Sequence, residues 1–157
     1  LGGGMTSRLF EQVREKRGLV YTITATSHTY SDCGVFYIDA GVAPKNVEKT
    51  IQVIADEIKD MRKDLSNYEI NNAKDLIKGR MMMQFEDSRA VAMNYGSQYL
   101  LTKEIEPFEE IMNKIDQVTK SDIQIVSDFI FKNSSAVVSI AGATDEIPNF
   151  SKNLTLF

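Results

Sequence analysis

Histidine and cysteine are each represented once in this sequence of 157 residues, by His28 and Cys33. Zinc sites are built mainly from these two residue types, with Asp or Glu in some, so this chain alone cannot build a two-histidine or a cysteine-based site. A lone cysteine also excludes an internal disulfide and favours a reducing compartment. His28 follows a strand-like run, where we interpret it as a polar residue near a strand end.

Long apolar runs and an excess of positive charge are absent as well. No run approaches the ~20 apolar residues of a membrane span. Eighteen Lys and Arg against 22 Asp and Glu give a formal net charge of −4, which argues against a nucleic-acid or membrane-surface binder. No signal peptide is visible, and with the single thiol this predicts a cytoplasmic location. Because the sequence starts with Leu1, we expect a piece of a longer protein.

The first segment of the chain has a helical pattern. Met5, Leu9 and Val13 recur every four residues, which predicts a helix over about 4–17. Gly18 follows at the place of a left-handed C-cap, because glycine has no Cβ to clash there. We expect a strand to begin directly after it.

Alternating residues predict an antiparallel hairpin next, with strands over 19–27 and 35–42. The sequence Ser-Asp-Cys-Gly between them is typical of a turn. In the first strand, strict alternation places four side chains on one face: Leu19, Tyr21, Ile23 and Ala25.

The remainder of the chain predicts mostly helices. Capping-box patterns at Ser66 and Thr119 open two of them. Further helices are expected after Pro44, around 88–101 and from Pro107, and we interpret the Met81-Met82-Met83 run as a flexible core filler. A short apolar strand is expected over 136–141. The predicted fold is α+β, a mostly antiparallel sheet covered by helices, in a single domain over 1–157.

The glycine run Leu-Gly-Gly-Gly-Met-Thr-Ser could in principle cradle a phosphate at a helix N-terminus. A phosphate loop ends in Gly-Lys-Ser/Thr, and here Gly4 is followed by Met5, Thr6 and Ser7 without a lysine. The simpler interpretation is a close-packed entry into the helix, with Thr6 or Ser7 helping to satisfy its first amides.

Arg14 and Tyr21 stand on either side of the expected helix–glycine–strand turn. Arginine presents a fixed fork of donors for a carbonyl or carboxylate, and a tyrosine hydroxyl can donate to a developing oxyanion. Together they could hold a peptide backbone beside a reacting centre. The alternative is structural, with Arg14 paired to Glu11 or Glu15 and Tyr21 packed on the sheet. Spacing alone leaves both open.

The stretch GGGMTSRLFEQVREKRGLVY resembles the signature of the second, non-zinc half of insulinase/pitrilysin-type zinc peptidases, in a bacterial branch similar to mitochondrial processing peptidase. The resemblance continues through YSDCG, the helix after Pro44, the Glu69–Gly79 helix and IDQVT. It implies a processing-peptidase-type half-domain and a clam-like pairing with a half that carries the motif His-x-x-Glu-His.

That resemblance also implies roles. Arg14 would hold substrate backbone, and Tyr21 would stabilise the tetrahedral intermediate formed by zinc-bound water. Zinc would be held by the other half, upstream or on a partner chain, and none by this chain, which alone would be inactive. The expected partners are that zinc-bearing half, a peptide substrate and a possible second copy, without nucleic acid or membrane. The alternative is a non-catalytic peptide-binding or scaffold subunit.

Overall fold

A computed structural model describes residues 1–132 and 136–142 of the chain. A π-helical turn over Phe10–Glu15 leads into strand β1 (Val20–Thr29), strand β2 (Gly34–Val42) and a 3₁₀ turn (Pro44–Asn46). Five helices follow: α1 (Val47–Lys63), α2 (Asn67–Phe85), α3 (Ser88–Thr102), α4 (Phe108–Gln117) and α5 (Lys120–Lys132). The fold is α+β, as predicted, with an antiparallel two-stranded sheet among the described residues.

Both predicted capping boxes are confirmed. The Glu69 amide donates to Ser66 Oγ at 3.2 Å, and the Ser66 amide donates back to Glu69 Oε2 at 3.1 Å. At the start of α5 the Asp122 amide donates to Thr119 Oγ1 at 3.3 Å, and the Thr119 amide donates to Asp122 Oδ2 at 2.8 Å. Each box satisfies helix amides that have no partner within the helix.

The hairpin forms where alternation predicts it. The Tyr30 amide donates to the Cys33 carbonyl at 2.8 Å and closes the turn. From Ile23 onward, β1 pairs residue by residue with β2, so that Ile23 faces Ala40 and Ala25 faces Ile38. Along the other side of β1, the Ala25 amide donates to the Gly2 carbonyl at 3.3 Å.

The core lies between the N-terminal turn, the hairpin and α1. Its buried cluster comprises Leu9, Val13, Leu19, Val20, Ile23 and Val53. Leu9 and Val13 are fully buried, so two residues of the predicted apolar stripe hold the N-terminal turn against the sheet. This packing fixes the position of the chain on both sides of Gly18.

The described chain divides into two compact units. One consists of residues 1–65 with the described part of 124–157, and the other of residues 66–123. In the second unit, Lys78 Nζ lies 2.6 Å from Asp116 Oδ1, and the Phe85 ring lies 4.4 Å from the Phe108 ring between centroids. The single domain over 1–157 stays a prediction. In the described part of the chain, no helix is both long and apolar enough to cross a membrane.

Several expectations from the sequence are wrong. Residues 136–141 form no strand in the structure, and Val137 is 88% exposed. An apolar run becomes a strand only where another strand pairs with it, and the described residues offer none to this segment. Met82 and Met83 are exposed rather than core fillers. The helix expected over 4–17 is regular only from Arg8 onward, and its cap at Leu9 has no side-chain hydrogen bond from Thr6 or Ser7.

Candidate functional site

The turn that separates Arg14 from Tyr21 begins as a π-helix. The Lys16 amide donates to the Glu11 carbonyl at 2.9 Å, an i to i+5 bond that is wider than the α-helical one. Gly18 has a φ of +59°, the predicted left-handed cap, and its amide donates to the Arg14 carbonyl at 3.0 Å. β1 begins two residues after Gly18. Isolated π-turns are frequent at functional sites, and this one carries Arg14 in its last turn.

Arg14 is weakly held within the chain. Its side chain is 42% exposed, and Nε lies 4.0 Å from Glu15 Oε1, the outer limit of an ion pair. The guanidinium carbon lies 4.7 Å from the centroid of the Phe10 ring, which supports one face of the planar group. The structural alternative is met in part, because Glu15 is this weak partner, whereas Glu11 pairs with Lys16 at 2.8 Å. In the described part of the chain, the donor fork of Arg14 makes no hydrogen bond.

Tyr21 lies in a β-bulge. Val20 pairs with Val42 and Thr22 pairs with Gly41, so Tyr21 is the extra residue of β1. The strict alternation expected from the sequence is consequently wrong at this position. Tyr21 and Thr22 are both exposed, between the buried Val20 and Ile23. Tyr21 is 74% exposed and does not pack on the sheet.

The fold places Arg14 and Tyr21 at the two ends of one short turn without joining them. No hydrogen bond, ion pair or ring contact links the two side chains, and within residues 1–132 and 136–142 the Tyr21 hydroxyl has no hydrogen-bond partner. Both polar groups therefore face solvent from a rigidly packed base. Such an arrangement can bind a ligand that reaches both.

A charged cluster fastens the π-helical turn to α1. An Arg8 guanidinium N–H donates to the Asp64 carbonyl, and Arg17 Nη1 donates to the Gln12 carbonyl at 2.7 Å. Burial raises the pKa of the Glu57 carboxyl, and the nearby charges of Arg17 and then Arg8 oppose that rise. The sequence analysis did not identify this cluster, because its members are far apart in the chain, by 56 residues for Arg8 and Asp64.

The single histidine and the single cysteine are not grouped into a metal site in the described part of the chain. His28 stacks on Tyr37 with ring centroids 5.6 Å apart, and its Nε2 lies 3.1 Å from the Tyr37 hydroxyl. Cys33 is exposed. Among the residues that the structure describes, no three His, Cys, Asp or Glu side chains are grouped to hold a metal ion.

Comparison with known proteins shows which family this chain resembles. Residues 1–77 match the family described as "Peptidase M16 inactive domain". Residues 1–77 therefore belong to the M16, insulinase-type peptidase family, in the part represented by its inactive domain. The resemblance stated from the sequence is thus confirmed.

Individual relatives agree with that class. A protein of Streptomyces coelicolor named an uncharacterized zinc protease is 34% identical over 128 residues, covering 81% of this chain and 28% of that protein. The alpha subunit of human mitochondrial-processing peptidase is 27% identical over 144 residues, covering 92% of this chain and 27% of that subunit. A crystal structure of a peptidase M16 inactive domain from Pseudomonas fluorescens shares the fold, with a TM-score of 0.72 at 23% identity, covering 83% of this chain and 31% of that one. The chain spans roughly a third of the length of the curated relatives it matches.

Proposed function

We propose that this chain is the substrate-binding part of a zinc-dependent endopeptidase that hydrolyses peptides or small unfolded proteins. One observation carries the proposal: the bulge at Tyr21 points a tyrosine hydroxyl into solvent, beside a packed turn that also exposes Arg14. A residue kept only for structure would gain stability from burial, and Tyr21 gains little. Placement of both residues on irregular backbone is typical of functional sites.

Each side chain has a defined task in this proposal. The Arg14 guanidinium donates paired hydrogen bonds to a backbone carbonyl of the bound peptide and fixes its position. The Tyr21 hydroxyl donates to the carbonyl oxygen of the bond to be cleaved, where negative charge develops. The zinc-bearing half lies outside this chain, upstream or on a partner, and this chain alone is inactive.

Further parts of the proposal concern the whole protein. Residues 1–157 form one domain, the C-terminal portion of the non-zinc half, and the partners are the zinc-bearing half and a peptide. Self-association would proceed through an unpaired edge of the sheet. The cytoplasmic location expected from the lone thiol stays a prediction.

A second candidate is a non-catalytic peptide-binding or scaffold subunit that partners an active zinc peptidase. The match to a family described as an inactive domain favours it. The two candidates differ in one measurable respect. Peptide hydrolysis by the full-length protein, together with any partner that carries the zinc-bearing half, depends on Tyr21 in the first candidate and is independent of Tyr21 in the second.

The test is steady-state hydrolysis of a fluorogenic peptide by the full-length protein that carries this chain. Tyr21→Phe should lower kcat by about 10- to 1,000-fold, because it removes one oxyanion donor. Arg14→Ala should chiefly raise KM, because it removes a contact to the bound backbone. Tyr30→Phe and Arg80→Ala are matched controls at exposed positions outside the turn and should change neither constant. Full activity in both site variants would refute the site assignment.

A further inference from the structure

Phe10 is a large apolar residue that lies outside the core. It is half-buried at the start of the π-helical turn, directly after the fully buried Leu9. It belongs neither to the core cluster nor to the partly buried residues packed against that cluster. Within residues 1–132 and 136–142, its ring contacts no other aromatic ring. Phe10 therefore gains only part of the stabilisation that full burial of its ring would give.

The guanidinium of Arg14 lies over the ring of Phe10, with 4.7 Å between the guanidinium carbon and the ring centroid. The two residues are four apart, and residues at this spacing are neighbours on the surface of a helix. The face of an aromatic ring carries partial negative charge, which attracts a cation placed over it. This contact holds the charged end of Arg14 against the turn.

The other contact of the Arg14 guanidinium is looser. Its Nε lies 4.0 Å from Glu15 Oε1, and the side chain is 42% exposed. In the described part of the chain, neither terminal nitrogen of Arg14 makes a hydrogen bond. A long side chain loses rotamer freedom when it binds a ligand, and a side chain that is already held loses less. The Phe10 ring is thus in a position to lower this cost for Arg14.

We propose that Phe10 is a positioning residue for Arg14, whose guanidinium its ring holds ready for the backbone carbonyl of the bound peptide. The inference rests on the proposed function, since it assumes that Arg14 binds the peptide. Phe10 acts through Arg14 and before binding, because it reduces the number of rotamers that Arg14 gives up. Its ring therefore affects KM and leaves kcat unchanged.

The experiment is steady-state hydrolysis of a fluorogenic peptide by the full-length protein, together with any partner that carries the zinc-bearing half. Phe10→Leu keeps an apolar side chain and removes the ring, so KM should rise about two- to fivefold, the range for one exposed cation–π contact. Phe10→Met, which is unbranched and fills space differently, should raise KM in the same way. Phe10→Tyr keeps the ring and should retain the wild-type KM.

Phe36→Leu is the matched control. Phe36 is also a half-buried phenylalanine, and it pairs with Ser27, six residues or about 20 Å along β1 from Tyr21. The control should leave KM unchanged.

A double-mutant cycle separates positioning from a general structural effect. In an Arg14→Ala background, Phe10→Leu should change KM no further, because the group that the ring holds is absent. An equal rise of KM with and without Arg14, or a rise in Phe10→Tyr that matches Phe10→Leu, would overturn the positioning role.

Failure of the underlying function gives a different result. A wild-type KM in Arg14→Ala would refute peptide binding by Arg14, and this inference with it. A raised KM in Arg14→Ala with an unchanged KM in both Phe10→Leu and Phe10→Met would overturn the role of Phe10 alone.

Discussion

The main-chain amide of Leu19 donates to the carbonyl of Val13 at 3.1 Å, across six residues. In a common Schellman motif the corresponding bond spans five residues. The extra residue follows from the π-helical turn, whose bonds are each one residue longer than those of an α-helix. Val13 and Leu19 are both buried, so this widened cap is part of the core and sets the path from Arg14 to Tyr21.

Gly18 is needed in that cap for its backbone conformation alone. Its φ is +59°, and a Cβ added to it would meet nothing within 4 Å. Gly18→Ala should therefore lower the free energy of unfolding by about 1 kcal/mol, the cost of the left-handed conformation for a residue with a Cβ. Urea unfolding measures the change. Gly79→Ala within α2 is the control and should raise stability by about 0.5–1 kcal/mol, so a matching gain at Gly18 would contradict the assignment.

Gly2 and Gly3 offer a contrast between neighbours. A Cβ on Gly2 would lie 2.7 Å from both the Cβ and the amide nitrogen of Ala25, whereas one on Gly3 would meet nothing within 4 Å. Gly2→Ala must move the segment away from β1, and we expect a loss of about 1–3 kcal/mol in unfolding free energy. Gly3→Ala should change it by less than about 0.5 kcal/mol. Thermal unfolding of both variants measures the two changes in stability. Equal losses in Gly2→Ala and Gly3→Ala would rule out the close contact between Gly2 and Ala25.

Gly41 should affect activity through Tyr21 and Thr22, the two residues of β1 that it faces across the bulge. In Gly41→Ala the new Cβ lies 3.0 Å from Thr22 Oγ1, so the bulge must shift by a few tenths of an ångström. We expect kcat/KM of the full-length protein to fall about tenfold, because small displacements of a positioned group reduce rates steeply. Thr22→Ala removes the clashing oxygen and, combined with Gly41→Ala, should restore most of the activity. Additive losses in the double variant would exclude this coupling.

Asp122 should contribute to stability in a pH-dependent way. Hydrogen bonds from the Thr119 side chain and then its backbone amide lower the pKa of the Asp122 carboxyl below its ordinary 3.8. Because the folded-state pKa is the lower one, the contribution is present above pH 3.8 and is lost as pH falls through the folded value. Asp122→Asn should be less stable at neutral pH and lose less stability on acidification below pH 4. Unfolding curves from pH 7 to 2.5, with Asp32→Asn as control, test this, and parallel profiles for Asp122→Asn and wild type would contradict it.

Local signals in the sequence account for most elements of the fold. The capping boxes at Ser66 and Thr119 mark helix starts because both partners lie within one turn. Gly18 is identifiable for the same reason, since the left-handed cap depends on one residue. The prediction of a strand over 136–141 is wrong, because strand formation depends on a partner strand far along the chain.

The sequence indicates which residues to propose for the site but not their geometry. The resemblance singles out Arg14 and Tyr21, whose roles stay a prediction, whereas alternation placed Tyr21 on the face of Ile23, from which the bulge removes it. A bulge depends on which residues of β1 pair with Gly41. The alternation of side chains along one strand does not reveal that pairing register. The π-helical turn is equally hidden, because the apolar spacing of Leu9 and Val13 suits an α-helix as well.

The contact between Gly2 and Ala25 determines which edge of the sheet can pair with a further strand. The Gly2 carbonyl accepts the hydrogen bond that the Ala25 amide would otherwise offer to an incoming strand. The middle of the β1 edge is thus blocked, and an added strand can pair along its whole length only with β2. Any β-type assembly, with a peptide, a partner chain or a second copy, should therefore be one-sided.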